Sequence, residues 1–336
     1  MTRLTVMAGA AVAYALFIAS SCPNQAAEWR LNIIATPGPV KAIDTSGAEP
    51  IVAIGHGWFR LVARTDRMTL AATAGPPQRA RPDGALPDGR IATGKRDIAR
   101  AWLAEPTDRY RHGALGDPVE AGSLVIERRN GTHQMLKLDP GAVLEDLEPR
   151  IAELEPGRDF IVVVKSYLNA GSALAVIGIR DGRYAVIAET PPIGTANRWL
   201  NPAGIADFDG DGAIDIALVR MPHALGRLEL WSWRGDRLQT LAQLPDVANH
   251  IYGSRVQRMS AVADFDHDGH ADLAIPSFDR RELRLIGFAP APRDIARVKL
   301  PARAVTELAT IKDPAGKTAV LLGLDNGALA LVRQGR

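Results

Sequence analysis

An all-β fold organised as a β-propeller, with six blades and seven as the alternative count, is predicted by three features of the sequence. After residue 27 the chain is a succession of short apolar runs rich in Val, Ile, Leu and Ala, separated by Gly, Pro, Asp and Asn, with no long run at helical spacing. Six anchors, Glu49, Asp97, Asp159, Asp215, Asp272 and Lys317, each stand at the head of such a run, roughly 45 to 60 residues apart. Each interval has room for four short strands, which is the content of a propeller blade. A β-sandwich, or a pair of smaller β domains, is the architectural alternative.

The elements follow in chain order. Arg3, the apolar run from Leu4 to Ser20 and the small residues up to Ala26 and Ala27 have the pattern of a secretory signal peptide over residues 1–27. The run is short for a spanning helix and no stop-transfer charge cluster follows it, so no transmembrane span is expected after signal removal. The only cysteine, Cys22, follows Ala19-Ser20-Ser21, an arrangement resembling a bacterial lipobox. The expected location is therefore extracytoplasmic, periplasmic or secreted, with a lipid anchor at Cys22 as the alternative to cleavage near Ala27. Either way the mature chain must fold without a disulfide.

Residues 28–336 then read as one domain. Trp29 to Ala35 is a strand. After Lys317 only two strands remain, Thr318 to Gly323 and Ala328 to Gln334, so the last blade lacks an outer strand that the first segment can supply, closing the ring. The Pro/Gly-rich stretch from Gly75 to Gly94 reads as a long loop within the first blade. Arg129-Asn130-Gly131-Thr132, Arg180-Asp181-Gly182-Arg183 and Asp325-Asn326-Gly327 are hairpin signals. Between Ile214 and Leu244 one blade shows its strands in turn: Ile214 to Val219, Gly226 to Trp233, and Arg237 to Leu244.

Two segments carry chemistry: ADFDGDGAIDIA at residues 206–217 and ADFDHDGHADLA at residues 263–274. Carboxylates fall at loop positions 1, 3, 5 and 9: Asp207, Asp209, Asp211 and Asp215, then Asp264, Asp266, Asp268 and Asp272. At a separation of roughly 5 Å each such pair repels by about 0.8 kcal/mol even in water, a penalty that a cation reverses. Alternate spacing turns every second side chain inward, Gly212 and Gly269 at position 6 supply the bend, and the carbonyls of Ala213 and His270 at position 7 can add an oxygen. All-oxygen donors of this number suit Ca²⁺ over Mg²⁺ or Zn²⁺, so two calcium sites are expected. Position 12 is Leu218 or Ile275 rather than glutamate, and strand rather than helix follows, so these are not EF-hands.

With their D-x-D-x-D-G-x-x-D core the two loops resemble the FG-GAP or VCBS repeats of integrin-like β-propellers. That resemblance implies calcium held between the first two strands of a blade by the aspartates just named. The phenylalanine-glycine pair expected upstream is absent, so the VCBS-like pattern fits better. His267 stands where the first copy has Gly210, which predicts a strained, weaker second loop. Ala152 to Asp159 is a shortened copy of the loop, and Ala309 to Lys317 keeps the length but carries Lys312 at a ligand position.

Elsewhere no nucleophile elbow, HExxH, phosphate loop or dinucleotide fingerprint is found. His56, His112, His133, His223 and His250 read as isolated loop or surface residues. Trp231 and Trp233 alternate on a strand, and with Trp58, Trp102 and Trp199 they are expected to pack blade against blade. With 40 basic residues interleaved among 38 acidic ones, nucleic acid is not an expected partner. The expectation is a non-enzymatic module binding protein or glycan. The alternatives are an envelope lyase or hydrolase working in the central channel, or a structural subunit of an envelope complex.

Overall fold

The computed structural model describes residues 28–65, 67–77 and 80–335; the signal segment and Cys22 lie outside them. Every element among the described residues is a strand. They group in fours, as blades of a propeller. The first blade holds β2 (Val40–Asp44), β3 (Ile51–Ile54), β4 (Gly57–Ala63) and β5 (Met68–Thr73). The second holds β6 (Ala92–Thr93), β7 (Ile98–Thr107), β8 (Glu120–Arg128) and β9 (His133–Lys137), and the third β11 (Arg150–Glu155), β12 (Arg158–Tyr167), β13 (Gly171–Arg180) and β14 (Arg183–Glu189). A short strand outside the repeat, β10 (Ala142–Leu144), pairs with both β8 and β12 and joins these two blades into one nine-stranded sheet.

The fourth blade is β15 (Leu200–Ala206), β16 (Asp215–Arg220), β17 (Arg227–Trp233) and β18 (Leu238–Leu244). The fifth is β19 (Ala261–Ala263), β20 (Asp272–Pro276), β21 (Glu282–Gly287) and β22 (Arg293–Lys299). The sixth is β23 (Ala309–Lys312), β24 (Thr318–Gly323) and β25 (Leu329–Gln334), completed by β1 (Trp29–Ile34), which pairs antiparallel with β25 from Trp29 opposite Gln334 to Ile34 opposite Leu329. All six anchors stand at or just before the second strand of a blade: β3, β7, β12, β16, β20 and β24.

The apolar pattern explains the packing. Second strands such as Ile161 to Val164 and Ile216 to Val219 are buried on both faces and accordingly read as continuous apolar runs. Cores form between blades: Phe208, Leu230, Leu273, Ile286 and Phe288 join the fourth to the fifth, and Val52, Leu321 and Leu331 join the first to the sixth. Trp233 lies 5.5 Å from the Phe160 ring of the third blade and donates to Glu155 Oε1 at 3.2 Å, the inter-blade role expected of it. Inner strands meet in sequence, β15 against β19 and β19 against β23.

One expectation is corrected. Residues 75–94 are not a loop within the first blade: the connection from β5 to β6 falls there, and Gly75 to Pro77, Arg81 and Gly89 to Thr93 line a cavity of about 710 Å³ with residues of the first and third blades and Arg258. The proline-rich composition does mark a loop, but a loop of that composition fits a blade connection as well as a hairpin.

Candidate metal loops and the opposite face

Each aspartate dodecamer joins the first strand of a blade to the second: β15 to β16, and β19 to β20. Position 2 is a phenylalanine in both, and it anchors the loop from below. Phe208 is fully buried 5.2 Å from Phe288, and Phe265 lies edge-on to Trp29 at 5.9 Å. Truncating such a ring typically costs 3–5 kcal/mol, so these side chains fix the loop to the core.

The loops repeat bond for bond. Asp207 accepts the N–H groups of Gly210 (2.8 Å) and Gly212 (3.0 Å), as Asp264 accepts those of His267 (2.7 Å) and Gly269 (3.1 Å). Asp211 accepts from Ala213 N at 2.8 Å and Asp268 from His270 N at 2.9 Å. Asp215 turns back to accept from Phe208 N at 3.0 Å, and Asp272 from Phe265 N at 2.7 Å. Backbone donors thus reach both oxygens of Asp207 and Asp264 and one oxygen of each of the other six aspartates.

The convergence differs between the copies. Asp207, Asp209 and Asp215 bring carboxylate oxygens within 4.8 Å of one another in the first loop; Asp264, Asp266 and Asp268 do so in the second. Asp211 stands apart from the first group because the Arg234 guanidinium holds its Oδ2 at 2.6 Å. Asp272 stands apart from the second group. Arg293 reaches into that group, with Nη2 at 2.7 Å from Asp266 Oδ2 and 3.2 Å from Asp268 Oδ2. Ala213 and His270 are fixed through their N–H groups, and the His270 imidazole leaves its own loop to lie over Gly210 of the other.

The donor set fits a hard divalent cation. Every converging atom is a carboxylate oxygen, and Asp215 Oδ1 is buried without a hydrogen-bond partner, a costly arrangement for an anion unless a cation meets it. Burial, with Asp209 and Asp211 adding repulsion, pushes the Asp215 carboxyl up to about 6, and burial, with Asp266 and Asp268, pushes Asp272 up to about 7. The degenerate copies have no such set. Pro156 and Gly157 make a tight β11–β12 turn, Asp159 is spent on the N–H groups of Arg96 and Ile98, and Lys312 donates to the Thr318 hydroxyl at 3.0 Å.

A four-stranded meander puts successive turns on alternate sides, so the β16–β17 turn and the connections flanking the fourth blade lie on the face opposite the aspartate loops. There His112, His223 and His250 come together, contrary to their reading as isolated residues. His250 Nε2 lies 2.8 Å from the carbonyl of Ser254 and must donate to it, so in the neutral ring Nδ1 accepts from His223 Nε2–H at 2.8 Å. Burial pushes His223 down to about 4 and His250 down to about 3, which keeps both rings neutral. Trp199 stacks on His223 and donates to the Glu145 carbonyl at 3.0 Å, while the buried Glu145 carboxylate takes His112 Nδ1 at 2.5 Å and the hydroxyl of Ser166. Tyr252 covers the group and donates to the His112 carbonyl at 2.6 Å.

Residues 207–275 match the FG-GAP-like repeat, a span running from the first aspartate loop to just past the second. The propeller carries FG-GAP-like repeat sequence over those residues. Two crystal structures of BBS1N in complex with ARL6DN are similar to it in fold. The one soaked with mercury is 15% identical, covering 85% of this chain and 75% of that one with a TM-score of 0.40; the one soaked with lead is 14% identical, covering 89% and 78% with a TM-score of 0.45. No curated protein matches the chain in sequence.

No helix among the described residues is long and apolar enough to cross a membrane. The phenylalanine at position 2 was visible in both dodecamers and could have been read as an anchor. Arg234 and Arg293 could not, since nothing in the sequence ties them to loops more than 20 residues upstream.

Proposed function

We propose that the protein is a calcium-braced β-propeller that serves as a binding module for a protein or glycan partner, exported under the direction of residues 1–27. The observation that supports the calcium is Asp215 Oδ1, a buried carboxylate oxygen with no partner, in a group whose other members are carboxylates. An ion there ties β15 to β16, and its counterpart ties β19 to β20, so its role is to stiffen blades. The binding role is supported by the opposite face, where Leu225, Tyr252 and Phe278 are 44%, 57% and 40% exposed around the histidine group.

The test is a thermal melt of residues 28–336 with calcium and with chelator. Calcium at a hundred times its Kd stabilises by about 2.7 kcal/mol, a rise of roughly 5 °C or more for a domain of this size. Asp209→Ala and Asp266→Ala each remove part of that rise; a wild type that melts alike in calcium and chelator refutes the metal. A glycan array, run beside Tyr252→Ser, distinguishes a glycan from a protein partner. Palmitate labelling of wild type against Cys22→Ala decides the anchor, and equal labelling excludes lipidation there.

A further inference from the structure

We infer that the two aspartate loops take up their cations in a fixed order, residues 207–215 first and residues 264–272 second, because Arg293 already serves the second loop as its counter-cation. This rests on the calcium reading above and concerns how the same loops are loaded. In the first loop no cationic side chain among the described residues pairs with the three converging carboxylates. Arg234 engages Asp211, which stands outside the group, so an ion enters without displacing a guanidinium. One member of the group, Asp215, is buried and keeps its Oδ1 without a hydrogen-bond partner.

In the second loop two of the three converging carboxylates, Asp266 and Asp268, share Arg293 Nη2. A cation must break both contacts to bind with all three, and it finds no unpartnered buried carboxylate oxygen in return. The exchange is of one cation for another, so its yield is the difference between two favourable interactions rather than the whole of one. Arg293 is 39% exposed at its side chain and has solvent to move into, which makes the second site weaker but not closed.

Isothermal titration of residues 28–336 with Ca²⁺ tests the order. Two steps are expected; Asp209→Ala removes the tight one and Asp266→Ala the weak one. Arg293→Ala tightens the weak step at least tenfold without moving the tight one. Arg293→Lys, which keeps the charge but loses the planar fork, tightens it less. A melt of each variant in chelator confirms that it is folded. Two steps of which the tighter is lost in Asp266→Ala overturn the order while leaving the calcium reading intact, as does an Arg293→Ala variant whose weak step is unchanged or weaker. Absence of both steps in the wild type overturns the calcium reading and the order with it.

Discussion

The imidazole of His270 rests on Gly210, so the seventh residue of one aspartate loop fills the space a side chain would need at the fourth residue of the other. A Cβ built at Gly210 would stand 2.3 Å from His270 Cε1 and 2.5 Å from its Nδ1, at a φ of +78°. Gly210→Ala is therefore expected to destabilise the protein twice over, by about 1–2 kcal/mol for the left-handed backbone and further for displacing the ring. Chemical denaturation measures it. Gly210→Ala combined with His270→Ala should recover the second part only.

At the equivalent position of the second loop, His267 holds φ at +64° with a side chain in place. His267→Gly relieves that strain at the cost of a looser unfolded chain, for an expected net gain of up to about 1 kcal/mol. A loss of stability in the same assay would show that the imidazole makes up for the backbone it strains.

Calcium stabilisation should grow with pH. Asp215 and Asp272 are raised to about 6 and about 7, above the ordinary carboxyl value. Between about pH 4 and 7 the unfolded chain has lost these protons while the folded chain keeps them, so metal-free stability falls as pH rises through that window. An ion needs the ionised forms and removes the repulsion. The calcium-induced rise in Tm should therefore be larger at pH 8 than at pH 5, and an equal rise at both would contradict the assignment of these groups.

Glu120 is another buried acid, with no hydrogen bond to its Oε1. Burial first, then the nearby Glu145, raises it to about 10, so its contribution is fully present below the ordinary glutamate pKa and declines steadily as pH rises toward 10. Glu120→Gln keeps the shape and removes the proton equilibrium. It should gain about 1–2 kcal/mol at pH 8 and almost nothing at pH 4, as read from denaturation curves at the two pH values.

A closed circuit of side chains joins five blades of the ring. The Thr45 hydroxyl donates to Glu307 at 2.6 Å, Arg90 donates to Glu307 at 2.8 Å and approaches Glu148 at 3.9 Å, and Arg258 holds Glu148 at 2.5 Å and Thr45 at 3.1 Å. Its members come from loops beside five different strands, β2, β6, β11, β19 and β23. Arg258→Met leaves the largely buried Glu148 short of its main partner and should cost about 2 kcal/mol, part of which Glu148→Gln in the same chain restores. Full additivity of the two changes would deny the circuit.

The repeat was legible because each blade begins its second strand with the same signal, a polar residue followed by an apolar run. Even the shortened copy at Asp159 follows it. The pairing of β1 with β25 was legible from a deficit, the missing fourth strand after Lys317. The histidine group was not legible, because His112, His223 and His250 sit in connections of unrelated length and sequence that only the ring brings together. β10 was hidden for a similar reason: three apolar residues outside the repeat look like part of a loop until both neighbours are in place. Arg234 and Arg293 act through a hairpin partner, which periodicity along one strand does not reveal.

The antiparallel match of Trp29–Ile34 with Leu329–Gln334 also has a consequence in time. A ribosome makes β1 some 300 residues before its strand partner. Through most of synthesis the earliest segment of the fold has nothing to pair with, and its apolar positions stay available to the wrong strand edge. Contacts this distant along the chain form slowly, and unpaired edges invite association in the meantime. Closing the sixth blade thus joins two segments made far apart in time.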